Sequence, residues 1–411
     1  MNRTELRMAL RTLSFLDSQA HRPEGFVELS GEPHPKLLVW QPEAIEWIFR
    51  EDSGLDHPGS RSMRPLLGPH SLLWLDGPRY GTYRTLLGPA LGSRRLADFH
   101  GLISDAVDRA LTELRPGTEF ALPEWTRQVT LDIASRILLG ADGPPVLREL
   151  TAWLERALGS PVRSLAYRLF RGGLPASDPA LDRELVRIAR AARPPALAAL
   201  LVDPDGPLGG VGDEELRDQI VSLLFAGHET TASATAWTVC WLDRNPDVRR
   251  DVLDELRSTS DSGADANAVP LLQACVRESL RLSPPVLIAG NRRLTGKARL
   301  LGRELPRGTV LSPSIYLAHR RPDSFRCPHR FDPGRFLGAR LPTQHYLPFG
   351  GGARHCPGSG LGLLEARMIT AALLRRREPR SVGEKAGVPA IRGHAMAPSR
   401  RLRMTVTACH D

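Results

Sequence analysis

The sequence has no apolar run long enough to cross a bilayer, and its first 19 residues are interrupted by charges. A membrane-spanning helix needs about 20 consecutive, mainly apolar residues. The same N-terminal segment lacks the apolar core and small-residue cleavage site of a secretory signal. We therefore expect a cytoplasmic protein without a membrane anchor.

Cysteine is scarce, with five in 411 residues, and no two cysteines are separated by only two residues. This distribution argues against a disulfide framework, a zinc ribbon and an iron–sulfur cluster. Any metal centre built on cysteine has to use a single thiol.

Lysine is almost missing, although 55 basic residues outnumber 46 acidic ones and give a net charge of +9. The arginines are scattered, and no segment combines a basic stripe with interleaved aromatic residues, so we do not expect nucleic-acid binding. Two interpretations stay open: solvated arginines of a GC-rich coding sequence, or a basic docking face for an acidic protein partner.

Helical periodicity dominates the chain. Apolar residues recur at spacings of three and four over 41–52, 79–91, 98–114, 128–139, 146–158, 213–244, 247–257 and 271–282. The longest of these helices has Asp213 as its expected N-cap. Residues 160–212 look irregular except for a helix over 182–193, whereas strict alternation predicts a strand over 401–408. We expect a mainly α protein, one domain over residues 1–411, with small peripheral sheets.

The segment FGGGARHCPGSG, residues 349–360, places Cys356 among glycines directly before an amphipathic helix. Gly350 and its neighbours permit positive backbone angles and close approach to a flat group. Arg354 adds a cation, and a helix N-terminus favours a thiolate. Most isolated cysteines are buried core residues, but this context indicates a metal ligand or a nucleophile.

Six positions of this segment match the pattern F-G-x-G-x-R-x-C-x-G: Phe349, Gly350, Gly352, Arg354, Cys356 and Gly358. The pattern resembles the haem-binding loop of the cytochrome P450 family, the haem-thiolate monooxygenases. The resemblance implies haem b (iron protoporphyrin IX) as the cofactor and Cys356 as the iron ligand. It also implies four cofactor-binding residues in the loop: Phe349, Gly350, Arg354 and Gly358.

The long helix contains AGHETT, residues 226–231, which resembles the family's A/G-G-x-E/D-T-T. Ala226 and Gly227 would let the cofactor lie against the helix, and a threonine hydroxyl that leaves the main-chain ladder would distort it locally. The resemblance implies that Glu229 and Thr230 are catalytic and relay protons to bound dioxygen. A solvated polar face is the alternative, and it fits poorly on an apolar stripe.

Two further patterns belong to the same family. Glu278 and Arg281 form its E-x-x-R, and Arg335 lies in FDPGRF, which resembles F-x-P-x-R-F. Taken alone, E-x-x-R is usually a surface ion pair of little energy. With Arg335 nearby, we expect a structural cluster that supports the cysteine loop.

The propionates of haem need cationic or hydroxyl partners. LDGPRYGTYR resembles the family's D-G-x-x-H-x-x-x-R, with Tyr80 in place of the usual histidine and Arg84 retained. Arg292 stands where the family has its second propionate arginine, although adjacent Arg293 leaves the register open. Arg354 of the cysteine loop is the third arginine candidate.

The resemblance implies a single cytochrome P450 domain whose N-terminal region contributes a sheet-rich lobe. It implies hydroxylation or epoxidation of a small apolar molecule by a monomer, in bacterial secondary metabolism. Electrons are expected from NAD(P)H through a ferredoxin and its reductase. A peroxide-driven peroxygenase and a haem-based sensor or ligand carrier are the alternatives. Substrate contacts are expected from small or apolar residues: Leu72, Leu73, Phe225, Val286, Ala289 and Met396.

Overall fold

The structure is a computed structural model that describes residues 2–31, 33–59, 63–92, 95–141, 145–258, 269–338, 340–383 and 387–410. Helices form most of this part of the chain, as the periodicity predicts. In chain order they are α1 (Arg3–Leu10), α2 (Thr12–Gln19), α3 (Pro42–Arg50), α4 (Arg64–Leu67), α5 (Gly77–Ala90), α6 (Leu96–Thr112), α7 (Leu122–Leu139), α8 (Pro145–Leu158), α9 (Pro161–Arg171), α10 (Pro179–Ala191), α11 (Leu197–Val202), α12 (Asp213–Arg244), α13 (Pro246–Ser258), α14 (Pro270–Leu282), α15 (Ile315–Ala318) and α16 (Ser359–Arg377).

The strands are short. They are β1 (Phe26–Ser30), β2 (Lys36–Val39), β3 (Glu119–Ala121), β4 (Arg292–Arg293), β5 (Ala298–Leu300), β6 (Arg303–Leu305), β7 (Val310–Pro313), β8 (Pro379–Ser381), β9 (Pro389–Arg392), β10 (Ala395–Pro398) and β11 (Arg403–Val406). The sheets have the orders β1-β2-β7-β4, β3-β11-β8, β10-β9 and β5-β6. In the largest sheet β2 runs antiparallel to β1 and parallel to β7. The sheet-rich region therefore draws strands from the chain after α14 as well as from the N-terminal region.

Helix α12 is the central element. Its 32 residues span about 48 Å, and it packs against α7, α14, α16 and β10. The predicted helix over 213–244 is confirmed, but its N-cap is Gly212 and not Asp213. Asp213 lies in the first turn, where a carboxylate faces the positive end of the helix dipole, and it accepts a 2.9 Å hydrogen bond from Arg190.

Residues 160–212 are more helical than predicted, because they contain α9, α10 and α11. Two of the prolines that suggested breaks, Pro161 and Pro179, stand at helix starts, where the missing N–H group has no intrahelical partner to lose. In α10, Pro179 follows Asp178, whose carboxylate accepts a 2.8 Å bond from the N–H of Ala180 and caps the helix.

The apolar core surrounds α12, with Leu216, Ile220 and Leu224 fully buried. The terminal strand β11 is shorter than the predicted 401–408, but the predicted alternation holds, since Met404 and Val406 are both buried. Within the described ranges, none of the helices combines the length and the apolarity that a membrane crossing requires.

Candidate active site

The cysteine loop runs from Phe349 to Gly358, directly before α16. Gly350 and Gly352 both have φ of 68°, a left-handed conformation that favours glycine. A Cβ atom at Gly351 would overlap the Phe49 ring, and one at Gly352 would meet the Asp52 carboxylate. The glycines therefore let the loop press against α3 and the turn that follows it.

Cys356 is held at both ends of its backbone and at its sulfur. Its N–H donates to Phe349 O at 3.0 Å, and the N–H of Gly358 donates to its thiol. Burial raises the pKa of this thiol, and the Gly358 N–H and the positive charge of Arg84 only partly offset that effect. We had expected the helix start to favour a thiolate, but without a further positive charge the thiol stays protonated. A bound metal cation would deprotonate it.

The 226–231 stretch of α12 presents little side-chain bulk on one side. Ala226 and Gly227 are exposed and Thr230 is partly exposed. Helix α16, which begins three residues after Cys356, packs against α12 at this level, because Gly362 lies next to the Thr231 hydroxyl. The structure thus brings the thiol loop and this stretch to the same region.

The two threonine hydroxyls of this stretch bond to the main chain of α12. The Thr230 hydroxyl donates to Ala226 O at 2.7 Å and the Thr231 hydroxyl to Gly227 O at 2.8 Å. Both hydroxyls bond to carbonyl oxygens four residues earlier, so they supplement the main-chain ladder and the helix continues unbroken.

Glu229 is buried and faces α7, which carries Arg127. Its carboxylate accepts a 2.6 Å bond from Arg127 Nε and lies 3.8 Å from Arg392 Nε. Both arginines also pair with Glu155, and Arg392 pairs with Glu124. The side-chain exposure rises from 8% at Glu229 to 30% at Glu155 and 41% at Glu124, so the ion pairs connect the buried acid with the surface.

Glu278, Arg281 and Arg335 come together as expected. Arg281 donates to the two Glu278 oxygens at 2.6 and 2.8 Å, and both side chains are fully buried. Arg335 Nε lies 3.5 Å from the same carboxylate, which also accepts a 2.9 Å bond from Asp332 N–H. A buried pair with these additional partners is more rigid than an exposed one.

His319 connects this cluster with the cysteine loop, and no sequence pattern identified it. Its Nε2 accepts a 2.9 Å bond from the N–H of Leu347, so Nδ1 carries the proton and donates to Arg281 O at 3.2 Å. Burial and the nearby charge of Arg281 lower the pKa of His319 well below its usual value, so the ring stays neutral. Leu347 precedes Phe349 by two residues.

Tyr80, Arg84 and Arg354 lie near one another beside the loop. The Tyr80 hydroxyl donates to Ala353 O at 3.0 Å, and the Arg354 guanidinium lies 3.6 Å from the centre of the Tyr80 ring. Arg354 also donates to Asp76 and to Leu72 O. Within the described chain its Nε is buried and has no partner. An unsatisfied buried donor of this kind suits an anionic group that the protein itself does not supply.

Arg292 makes several bonds within the protein beside the cysteine loop. Its side chain is 1% exposed, and its N–H groups are taken by Asp52 and by the carbonyl oxygens of Ala289, Gly290 and Gly351. The bond to Gly351 O ties Arg292 to the cysteine loop, and its contact with a propionate stays a prediction. Arg293, the neighbouring arginine that could also fill the family's position, pairs with partly exposed Asp56.

Comparison with known proteins identifies the family. A family model described as cytochrome P450 matches residues 185–390. A putative cytochrome P450 135A1 of Mycobacterium tuberculosis is 32% identical over 400 residues, covering 92% of this chain and 87% of that protein. The chain belongs to the cytochrome P450 family.

Cytochrome P450 enzymes are haem-thiolate monooxygenases, so the protein is an oxidoreductase with haem b as its cofactor. Cyclooctatin synthase of Streptomyces melanosporofaciens is 30% identical over 408 residues, covering 92% of this chain and 87% of that protein. Retinoic-acid-bound cyanobacterial CYP120A1 has a TM-score of 0.84 at 24% identity, covering 98% of this chain and 96% of that chain. The architecture is thus the P450 fold.

The residues expected to contact a P450 substrate divide into two groups. Leu73 is 42% exposed, and Val286 and Ala289 are partly exposed. The others are buried: Leu72 at 9%, Phe225 at 6% and Met396 at 1%. Met396 lies in the core, and its carbonyl oxygen accepts bonds from α12.

His394, which sequence reasoning missed, stands at the turn between β9 and β10. Its ring stacks on Phe225 with the centroids 3.7 Å apart. Burial lowers the pKa of His394 to about 4, and its Nε2 is buried without a partner in the described residues. The apolar residues near Met396 therefore adjoin a neutral imidazole that the sequence pattern does not reveal.

Proposed function

We propose that haem b binds between α12 and the cysteine loop, with the thiolate of Cys356 on the iron. The observation that carries this placement is the location of the thiol: it ends a glycine loop at the start of α16, and α16 packs on α12 at Thr231, one helical turn from the exposed Gly227. Glycine and alanine leave room for a flat macrocycle. The residues present therefore fit the cofactor.

The haem propionates would be held by three residues beside the cysteine loop: Tyr80, Arg84 and Arg354. Arg354 contributes the unpartnered Nε, Arg84 contributes the positive charge felt by the thiol, and Tyr80 contributes its hydroxyl. Arg292 would act indirectly, because its bond to Gly351 O fixes the loop. Phe349, Gly350 and Gly358 would shape the pocket and orient the sulfur, the last through its N–H group.

Bound haem supplies the activation of dioxygen and the transfer of one oxygen atom to the substrate. Thr230 Oγ1 would hold a proton on the exposed side of α12. The Glu229 carboxylate has to leave Arg127 before it can pass a proton to Thr230, and Glu155, bound to the same arginine, would link it to solvent. A peroxide-driven reaction needs no such relay, so the presence of Glu229 and Thr230 favours a reaction that uses dioxygen.

The substrate we propose is a small, mainly apolar organic molecule, hydroxylated or epoxidised in bacterial secondary metabolism. Leu73, Val286 and Ala289 provide accessible apolar surface. The relative named cyclooctatin synthase supports a role in biosynthesis.

The electron donor we propose is an acidic ferredoxin, reduced by NAD(P)H through its reductase, acting on a cytoplasmic monomer. A cavity of about 260 Å³ lies on the cysteine-loop side and is lined by Arg277, Arg340, Phe349 and His355, among others. The two arginines would attract an acidic partner to the side nearest the thiol.

Replacing Cys356 with His tests the proposal. The reduced carbon monoxide complex should lose its red-shifted Soret band, even if haem is retained, because the thiolate ligand is gone. Cys327→Ser is the matched control, since that cysteine is exposed, and it should keep the band. A Cys356→His protein that still showed the band would exclude this thiol as the ligand.

A further inference from the structure

A cleft with two arginines lies beside the cysteine loop. The cavity of about 260 Å³ on that side adjoins a second one of about 300 Å³, and both are lined by Arg277, Phe336 and Arg340. Protein pockets that take small organic molecules measure about 300 to 1,000 Å³. The two cavities together, which we call the Arg277/Arg340 cleft, therefore have room for such a molecule.

The charge of this cleft is positive. Arg277 and Arg340 line both cavities, and among the described residues no acidic side chain lines either of them. Neither guanidinium makes a hydrogen bond or an ion pair with another residue that the structure describes. Burial and, to a smaller extent, the charge of Arg277 lower the pKa of nearby Arg367. An anion in the cleft would offset this crowding of positive charge.

The rest of the lining is mainly apolar. Phe336 and Tyr346 form an aromatic wall, with their ring centroids 4.8 Å apart. The apolar residues beside them are Leu337, Leu341, Leu347, Pro348, Phe349 and Leu363. Apolar walls favour burial of a hydrocarbon body, and the guanidinium fork fits a carboxylate. An inorganic anion would pair with the arginines but would leave these walls in contact with water.

The walls of the cleft are fixed by the packing of α14. Arg277 precedes Glu278 on this helix, and Phe336 follows Arg335 in the turn that packs against it. Arg335 Nε lies 3.5 Å from the Glu278 carboxylate and joins the two segments. The Tyr346 hydroxyl donates to Arg277 O at 3.0 Å. Because the walls are already in place, little entropy is lost in ordering them when a ligand binds.

We propose that the Arg277/Arg340 cleft binds a small apolar carboxylic acid in its ionised form. The carboxylate pairs with the guanidiniums, and the hydrocarbon body lies against Phe336 and Tyr346. This site is separate from the substrate site, because none of its lining residues is among the expected substrate contacts.

A bound acid would also affect the delivery of electrons. Phe349, Gly350 and His355 of the cysteine loop line the same cleft, so the acid occupies the side on which the ferredoxin is proposed to dock. Competition between the acid and the ferredoxin rests on that proposed function, whereas binding of the acid does not.

The test is isothermal titration calorimetry of the haem-loaded, full-length protein with cinnamate, an aromatic carboxylate. The control ligands are cinnamyl alcohol, which has the ring without the charge, and inorganic phosphate, which has charge without a ring. Arg277→Gln/Arg340→Gln removes both guanidiniums. Arg183→Gln/Arg299→Gln is the matched control variant, since both arginines are exposed on other elements and the net charge falls equally. Circular dichroism checks that each variant is folded.

We expect cinnamate to bind without a low-spin to high-spin shift of the haem, and both control ligands to bind at least about tenfold more weakly. Arg277→Gln/Arg340→Gln should lower the affinity for cinnamate about tenfold, because charge-assisted hydrogen bonds are lost, and the control variant should bind like the unchanged protein. Binding that shifts the haem spin state, or that is equal in Arg277→Gln/Arg340→Gln, places cinnamate elsewhere and overturns the proposal. Absence of binding, or equally tight binding of either control ligand, overturns it as well.

The rate of haem reduction by an acidic ferredoxin, with and without saturating cinnamate, separates this site from the proposed docking. Slower reduction in the presence of cinnamate supports both. If cinnamate binds as expected and the reduction rate does not change, the acid site stands and the docking of ferredoxin at this cleft is wrong.

Discussion

Two neighbouring arginines form ion pairs of the same length in different surroundings. Arg292 and Asp52 are 2.8 Å apart and each 1% exposed, whereas Arg293 and Asp56 are 2.8 Å apart and 40% and 47% exposed. Asp52 also accepts a bond from His57. Replacing Asp52 or Asp56 with Asn therefore compares a buried with an exposed carboxylate at nearly the same place.

The pKa of Asp52 gives the size of the effect. Burial alone would raise this pKa, but hydrogen bonds from His57 and Arg292 outweigh burial and lower it from 3.8 to about 2. Each pKa unit corresponds to about 1.4 kcal/mol, so the fold stabilises the ionised carboxyl by about 2.5 kcal/mol. Breaking a buried pair costs about 3 to 5 kcal/mol, because the remaining charge is unpaired.

We expect Asp52→Asn to lower the free energy of unfolding by about 3 kcal/mol and Asp56→Asn by less than about 1 kcal/mol. The folded-state pKa of Asp52 lies below the unfolded value. Its stabilisation is therefore complete above pH about 4 and is lost as the pH falls towards 2. The difference between the unchanged protein and Asp52→Asn should shrink over that interval.

Urea unfolding followed by tryptophan fluorescence measures these differences at neutral pH and at steps down to about pH 3. The Asp56→Asn protein serves as the reference at each pH. Similar small losses for both variants would refute the argument that burial makes the Arg292–Asp52 pair important. An Asp52→Asn deficit that stayed constant below pH 4 would refute the assigned titration.

Thr230→Ala should leave substrate binding largely intact but divert NAD(P)H consumption into hydrogen peroxide, because the hydroxyl that holds the proton is gone; peroxide formed per NAD(P)H is the measurement. Thr231→Ala is the control: it loses an equivalent bond to the helix, and its NAD(P)H consumption should stay coupled to product formation. If Thr230→Ala also stays fully coupled, another group must donate the proton. Electron transfer from an acidic ferredoxin should slow as salt rises, because charges are screened over about 8 Å at physiological ionic strength. A rate that does not respond to salt would leave the arginines without a docking role.

Features with local determinants could be predicted from the sequence. The periodicity of 213–244 predicted α12, and the spacing around Cys356 predicted a tight loop because glycine is needed where φ is positive. Glu278 and Arg281 lie one helical turn apart, so their pairing follows from helix geometry.

Contacts between distant segments could not be predicted in this way. Arg127 lies 102 residues before Glu229 and belongs to another helix, and nothing in its local sequence marks it as the partner of a buried acid. Asp52 lies 240 residues before Arg292, and no local pattern marks it as the ion-pair partner of that arginine. Such pairings depend on how elements pack, which a single sequence does not reveal.

The carbonyl oxygen of Met396 accepts a 2.6 Å bond from the Ser233 hydroxyl and a 3.0 Å bond from Trp237 Nε1. This atom ties the main chain of the β9–β10 hairpin to α12, and the hairpin tip adds a side-chain contact, because the His394 ring stacks on Phe225. A substitution at His394 would change that side-chain contact and leave the main-chain anchor at Met396 in place. Substitution of Ser233 or Trp237 would instead loosen the anchor itself, so side-chain changes at the tip can reshape the apolar surface around Phe225 with less disturbance of the helix that carries Thr230.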